Sequence, residues 1–473
     1  MASLTIHSPI DDQPVGTVPA CSRRDVDRAL TAAAKAQAVW AARPLAERVK
    51  IVRAAATELR RDVKELARLL VEEVGKTPKD ARDEVLRTAD LVAVTAAAAT
   101  KLKPETNRSQ DFPKSKPGRV QTVVRIPWGT VLAIGPFNYP VNLTASKIAP
   151  ALAMGNAVVL KPSTQGSVTG LRVARAFYRA DVPKALLPTV TGSGSTIGDY
   201  LVSHDGVDLV AMTGSTAVGH HIAEHVGMIP LLMELGGNDP AIVLADADLD
   251  LVAECVVTGA FRYYGQRCTG VKRVYVVDRV ADRLAGRVVE RTVQQFGSVG
   301  DPRRNPLGPV INDHQAKYLE TLIKDATKRG GKILCGGERD GRYVQATVVD
   351  RVPHSARLVH EEQFGPVLPI VRVKDADEAL KLANDTDYGL QASVFTKNRK
   401  QAERFAEQIQ AGGVHLNGPD QRGPDNFLFT GLKDSGLGAQ GIRYALEAMS
   451  RPKGIVQNRA GVRAGVRARA RTR

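Results

Sequence analysis

From residue 24 to about 102 apolar positions recur every three or four residues in a stretch rich in Ala, Leu, Arg and Glu, most clearly over residues 49–59 (VKIVRAAATEL). That period predicts long amphipathic helices laid over a sheet. Residues 103–119 turn polar, with Pro104, Pro113 and Pro117, and lead into a β-branched run at 120–126 that Pro127 ends. This predicts a strand on an excursion from the main body. From residue 131 short apolar runs alternate with amphipathic helical stretches, giving strand candidates at 131–134, 157–160, 189–191 and 209–212. A second series starts at 241–244 and continues through Val274, 369–373 and 392–396. Such alternation predicts parallel βαβ units with both sheet faces covered, in two α/β domains hinged near residues 234–239.

A chain of 473 residues is too long for one simple core, which fits two or three domains. The first residues show no basic segment followed by an apolar core, and no apolar stretch is long enough to cross a bilayer, so the expectation is a cytoplasmic protein with no membrane partner. Cysteines 21, 255, 268 and 335 form no C-x-x-C pair and no metal-ligand spacing with histidine, so no metal is expected and a reducing compartment fits. The net charge is +16, but six arginines and no acid fall within residues 459–473. That tail has no apolar period and is expected to be disordered. Without a basic face interleaved with aromatics or a known module, charge alone gives no ground for a nucleic-acid partner, and positive potential around a cleft would equally attract a phosphorylated metabolite.

Cys268 lies in Gly265-Gln-Arg-Cys-Thr-Gly, a polar turn between an apolar helical pattern at 249–261 and a strand-like stretch at 274–277. A thiol presented beside Arg267 near a helix end favours thiolate; the alternative is one more small buried hydrophobe. The turns Thr191-Gly-Ser-Gly-Ser-Thr-Ile-Gly and Thr213-Gly-Ser-Thr each lie between a strand and a helix, where backbone amides and Ser215 could meet phosphates. The first reads G-x-G-x-x-x-G through Gly192, Gly194 and Gly198, not the usual dinucleotide fingerprint, so a structural glycine turn stays open. Glu234, in an apolar stretch before Gly-Gly, would gain basicity by burial, or else be a carboxylate paired with a basic group. Asn138, in Pro-Phe-Asn-Tyr-Pro, could donate to an oxyanion or be a turn residue.

Together, Asn138, Lys161-Pro-Ser, Thr213-Gly-Ser-Thr, Glu234-Leu-Gly-Gly, Gly265-Gln-Arg-Cys, Glu362-Gln-Phe-Gly-Pro and Asn417 resemble the aldehyde dehydrogenase superfamily over nearly the whole chain. The resemblance implies an α/β fold: a Rossmann-like cofactor domain (1–112 and 128–235), a catalytic α/β domain (236–435) and a small β oligomerisation arm (113–127 and 436–458) supporting a homotetramer. It assigns Cys268 as nucleophile, Asn138 and the Cys268 amide as oxyanion donors, and Glu234 as activator of water, which is covalent catalysis in two steps. It places the cofactor on Lys161, Ser163, Thr164, Gly194, Gly198, Thr213, Gly214, Ser215, Leu235, Glu362 and Phe364.

The runs Phe137-Asn-Tyr-Pro-Val-Asn-Leu-Thr-Ala-Ser-Lys, Gln-Arg-Cys-Thr with Val-Lys-Arg-Val, Gln421-Arg-Gly-Pro-Asp-Asn-Phe and Tyr444-Ala-Leu-Glu-Ala-Met resemble the non-phosphorylating glyceraldehyde-3-phosphate dehydrogenases within that superfamily. By this resemblance Arg267, Arg422 and Tyr139 hold a substrate phosphate, and a third cation of the helix before the hairpin falls at Lys101. Guanidinium groups suit the task through charge-assisted contacts, although Arg422 could also be an ordinary loop arginine. Many NAD-using relatives carry a glutamate three residues after the lysine of Lys-Pro-Ser; Thr164 stands there, which favours NADP over NAD. Asn238 replaces the subfamily's usual lysine. The expected reaction is oxidation of D-glyceraldehyde 3-phosphate to 3-phosphoglycerate with NADP and water. The rivals are a dehydrogenase for another anionic aldehyde such as succinic semialdehyde, and a non-catalytic binding protein on the same fold.

Overall fold

The computed structural model describes residues 2–458, so the expectation for the 459–473 tail lies outside the described residues. The amino-terminal helical pattern resolves into Arg23–Ala42, Leu45–Arg61, Val63–Val74 and Pro78–Ala99. Local chemistry sets their ends. Ser22 and Asp25 form a reciprocal capping box, Gly75 stops the third helix at φ 74°, and Thr77 caps the fourth with Pro78 in its first turn.

These helices cover a five-stranded sheet in the order Gly436–Leu437, Leu231–Glu234, Leu209–Thr213, Thr130–Ile134, Ala157–Lys161. All neighbours are parallel except the first pair. Leu209–Thr213 and Ala157–Lys161 are buried throughout, as expected for strands covered on both faces. After Leu231–Glu234 the chain crosses at 235–238 into Asp239–Val243, an inner strand of a seven-stranded sheet. That sheet runs Lys332–Cys335, Thr347–Asp350, Val367–Val373, Val271–Val277, Asp239–Val243, Gln391–Phe395, Gly413–Leu416, with only the first pair antiparallel. Each face of it carries its own apolar cluster.

The excursion strand is Arg119–Pro127, paired antiparallel with Glu105–Arg108 and, along nine residues, with Ser450–Asn458. One expected strand is absent. Residues 189–191 make a single bridge from Thr189 to Leu160, because Pro188 and the Gly192 turn leave no room for a ladder.

Candidate active site

Cys268 follows the helix Leu249–Phe261 and a tight turn, Arg262–Gly265, that holds Tyr263 and Tyr264 at φ 51° and 59°. Gly265 itself sits at φ 67°, and a Cβ there would overlap the carbonyl oxygen of Gly365 in the Glu362-Gln-Phe-Gly-Pro segment. Gly237 is equally constrained, since its Cβ would lie 2.6 Å from the Cys268 carbonyl oxygen. Three glycine-bearing segments therefore interlock around the thiol. Gln363 fastens the last of them by donating to the carbonyls of Lys272 (2.7 Å) and Val367 (2.9 Å).

The cysteine lines two cavities at once. One, of about 540 Å³, is bounded by Asn138, Lys161, Ser163, Thr164, Thr213, Gly214, Ser215, Leu235, Glu362 and Phe364 among others. The second, of about 130 Å³, is bounded by Asp80, Asp83, Glu84, Arg87, Tyr139, Arg262, Arg267 and Arg422 among others. Asn138 donates its amide to the Gln266 carbonyl at 3.0 Å, which fixes the side chain beside the cysteine loop and leaves its second N–H available. In the larger cavity Lys161 is 8% exposed, and burial pulls its pKa down with no acid opposing the shift. A buried cation without a partner acid suits an anionic ligand, and Ser215 caps the helix Thr216–His225 at the same wall. Glu362 accepts from the Gly237 N–H at 3.0 Å.

Two expectations are corrected by the electrostatics. Burial pushes the Cys268 thiol up to about 12, with Glu234 adding to the rise and Arg422 opposing it, so the resting group is a thiol. Proximity in sequence to Arg267 does not overcome this, because that guanidinium turns to the carbonyls of Gly259 (3.1 Å) and Thr269 (3.3 Å). For Glu234 the paired reading holds. Burial would raise its pKa, but Arg422 at 2.6 Å and Lys147 at 3.0 Å hold it at about 2, with the Thr213 hydroxyl also donating to it.

Glu234 lines neither cavity itself but is bonded to Arg422 in one wall and Thr213 in the other; three further expected positions are not brought to the site. Lys101 is exposed just past the helix Pro78–Ala99 and lines neither cavity. Gly194 and Gly198 lie on the helix Gly194–Val202, outside the residues that wall the larger cavity. The cation that the helix does supply is Arg87, facing the smaller cavity and bonded to Asp425 (2.8 and 2.9 Å) and to the Arg422 carbonyl (2.9 Å). Its signal was the spacing of Asp80, Asp83, Glu84 and Arg87, which stacks all four on one helical face. Lys147 was also missed; a lone lysine inside the wholly buried helix Asn142–Ala153 was the clue. Asn417 has a structural part, its amide accepting from the Thr396 N–H and donating to the Thr396 carbonyl, both at 3.0 Å.

The aldehyde dehydrogenase family model matches residues 2–455. The chain is 45% identical over 454 residues, covering 96% of it and 95% of the relative, to an NADP-dependent glyceraldehyde-3-phosphate dehydrogenase of Streptococcus equinus. Its fold superposes with a TM-score of 0.95 on the NADP complex of an NADP-dependent glyceraldehyde-3-phosphate dehydrogenase from Bacillus halodurans, at 46% identity and covering 97% of this chain and 96% of that one. Aldehyde dehydrogenase 21 from Physcomitrella patens, in complex with its product succinate, gives 0.93 at 33% identity, covering 97% and 96%. Cys268 and Asn138 line the larger cavity and Glu234 is tied to Arg422 and Thr213 in the walls of the two; with these residues in place over a match of nearly its whole length, the chain belongs to the aldehyde dehydrogenase family.

Proposed function

We propose that the protein oxidises D-glyceraldehyde 3-phosphate to 3-phosphoglycerate with NADP and water, without inorganic phosphate. The observation that carries the reading is Cys268 standing between a roomy cavity with an unopposed lysine and a small one set with arginines. The relatives of 45% and 46% identity bear names with this substrate and this cofactor.

Bound in the larger cavity, the nicotinamide nucleotide supplies the hydride acceptor. Lys161, Ser163 and Thr164 hold its ribose end; no carboxylate stands with them to repel a 2′-phosphate, which favours NADP. Glu362 and Phe364 lie at the wall shared with Cys268. Cys268 bonds to the aldehyde carbon as its proton passes to Glu234, which hands it to solvent before the second step, while Asn138 and the Cys268 N–H receive the carbonyl oxygen as it gains charge. Hydride loss leaves a thioester, and Glu234 takes a proton from the water that attacks it, freeing the acid and the thiol.

Arg267, Arg422, Tyr139 and, from the geometry, Arg87 receive the substrate phosphate. Arg422 has two tasks in conflict, because it also holds Glu234 at 2.6 Å. Phosphate that draws Arg422 away removes the strongest pull lowering the Glu234 pKa. The base is then released only when the phosphorylated substrate is in place. The three-stranded arm, whose strand Ser450–Asn458 is exposed from Arg451 onward, is proposed as the contact of a homotetramer. Among the described residues no helix is long and apolar enough to cross a membrane.

The test is NADPH formation in phosphate-free buffer with D-glyceraldehyde 3-phosphate, glyceraldehyde and succinic semialdehyde, alongside a Cys268→Ser control. Two charge-assisted arginine contacts predict a preference of about 10²- to 10⁴-fold for the phosphorylated aldehyde over glyceraldehyde. The control is expected to lose turnover. Equal rates on all three aldehydes would discard the phosphate pocket; a faster rate on succinic semialdehyde would reassign it to a carboxylate.

A further inference from the structure

The spacing of cysteines and histidines along the chain offered no metal motif, but the fold assembles one without cysteine. His221 and His225 lie four residues apart on the helix Thr216–His225, hence on one face. Their rings stand 4.1 Å apart, centroid to centroid. Asp199, from the neighbouring helix Gly194–Val202, meets His221 Nε2 at 2.8 Å. One donor atom from each of the three residues lies within 4.8 Å of the others. We propose that Asp199, His221 and His225 form a surface site for a divalent transition-metal ion of the zinc, nickel or copper class.

The donor set decides the class of ion. Two imidazoles and one carboxylate are borderline ligands that suit zinc, nickel and copper, whereas magnesium and calcium prefer sites made of oxygen alone. Bond lengths of about 2.0–2.2 Å place donors in one coordination sphere roughly 3.3 Å apart. Closing from the observed spread takes a shift of up to about 1.5 Å, which three exposed side chains can make by small torsional changes. The His225 ring is already oriented, since its Nδ1 lies 2.7 Å from the His221 carbonyl oxygen, which leaves Nε2 as the ligating atom. Water completes the sphere. The competing explanation is that Asp199 and His221 are an ordinary surface ion pair, with His225 packed beside it.

Placement says what the ion would do. The helix of His221 and His225 starts at Ser215, in the wall of the larger cavity, and the helix of Asp199 starts at the Thr191-Gly-Ser turn one βα unit earlier. An ion shared by the two helices fastens them to each other away from those turns. None of its three ligands lines either cavity. The ion is therefore a structural brace on the cofactor side, and it stands or falls independently of the substrate assignment.

The experiment titrates Ni²⁺ into the chelator-treated full-length protein by calorimetry at pH 7.5 and 5.5, with Zn²⁺ as a second probe in thermal denaturation. The comparison proteins are His221→Ala with His225→Ala, and Asp199→Asn. The expected result is one equivalent of Ni²⁺ bound at pH 7.5. The double variant weakens it at least thirtyfold, the Asp199 variant about fivefold, and pH 5.5 at least tenfold, because protonated imidazole cannot ligate. Metal should raise the midpoint of the parent protein and not that of the double variant. NADPH formation by metal-free parent and variants should agree within twofold, which also shows that the variants fold. Absence of binding, or equal binding by parent and double variant, overturns the site.

Discussion

The two cavities that share Cys268 are built on opposite terms. The larger has about four times the volume of the smaller, and its one buried cation, Lys161, faces no acid. The smaller is crowded with charge, and most of that charge is already paired: Arg262 with Asp80, Arg87 with Asp425, Arg422 with Glu234. Arg267 alone among its four arginines has no carboxylate partner among the described residues. On the proposed reading, the difference makes the cofactor side a preformed cleft that a ligand fills and the substrate side one where a ligand exchanges partners. Pairing holds the guanidinium groups in position beforehand, at the expense of a competition that only a doubly charged group wins well.

The largest effect should therefore come from the smaller cavity. Replacing Arg422 by Ala is expected to lower kcat/KM for the phosphorylated aldehyde by about 10²- to 10³-fold, and to leave that for glyceraldehyde unchanged or raised because Glu234 is then released without phosphate. Losing that arginine also leaves burial and Lys147 to decide the Glu234 pKa, so the acid limb of the pH–rate profile should move upward. Arg87→Ala should cost about 10- to 100-fold on the phosphorylated substrate alone, and Lys101→Ala less than twofold. Equal losses on both aldehydes would break the contrast between a substrate-exchanging cavity and a filled one.

A smaller effect is expected on the cofactor side, where a single cation acts. Lys161→Gln should raise the KM for NADP about tenfold while that for NAD changes less than twofold, read from initial rates with each nucleotide. A parallel rise for both would mean that the lysine serves the ribose and not a 2′-phosphate.

The legibility of the two cavities differs for a related reason. The larger is made at the ends of successive strands and helices, so its parts appear in the chain as motifs: Lys161-Pro-Ser, Thr213-Gly-Ser and Glu362-Gln-Phe each contribute residues to its wall. Gly194 and Gly198 fail because Ser193 caps a helix that already begins at Gly194, so both sit on that helix outside the wall. The smaller cavity is made by a helix face laid against a distant loop. Arg87 meets residues 422 and 425, more than three hundred positions away, and no local pattern announces that contact. The protonation states of Cys268 and Glu234 were unreadable on the same ground, since burial was foreseeable from apolar neighbours but Arg422 and Lys147 as partners were not.

Behind the cysteine loop the same contrast produces its subtlest consequence. Asp239 and Asp420 are buried near Gly259, where a Cβ would lie 3.1 Å from Asp420 Oδ1 and press on Val271, the strand partner of Asp239. Both Asp420 oxygens and one of Asp239 lack a hydrogen-bond partner. Burial raises the Asp420 pKa to about 7 despite Arg267 and Lys272, and burial together with Asp420 raises that of Asp239. The folded chain thus keeps a proton that the unfolded chain releases near 3.8. Between those values the native state binds more protons, so stability falls as pH rises and the penalty is complete above about 7. Asp420→Asn removes this group, and at about 1.4 kcal/mol per pKa unit should gain roughly 2–4 kcal/mol at pH 8 relative to its effect at pH 4. Thermal midpoints at the two pH values check it: the parent should lose more stability than the variant on going to pH 8. Equal losses would mean that Asp420 is ionised throughout, held by Arg267 as a ready counter-ion, and then even the one unpaired arginine of the smaller cavity would have been paired from behind.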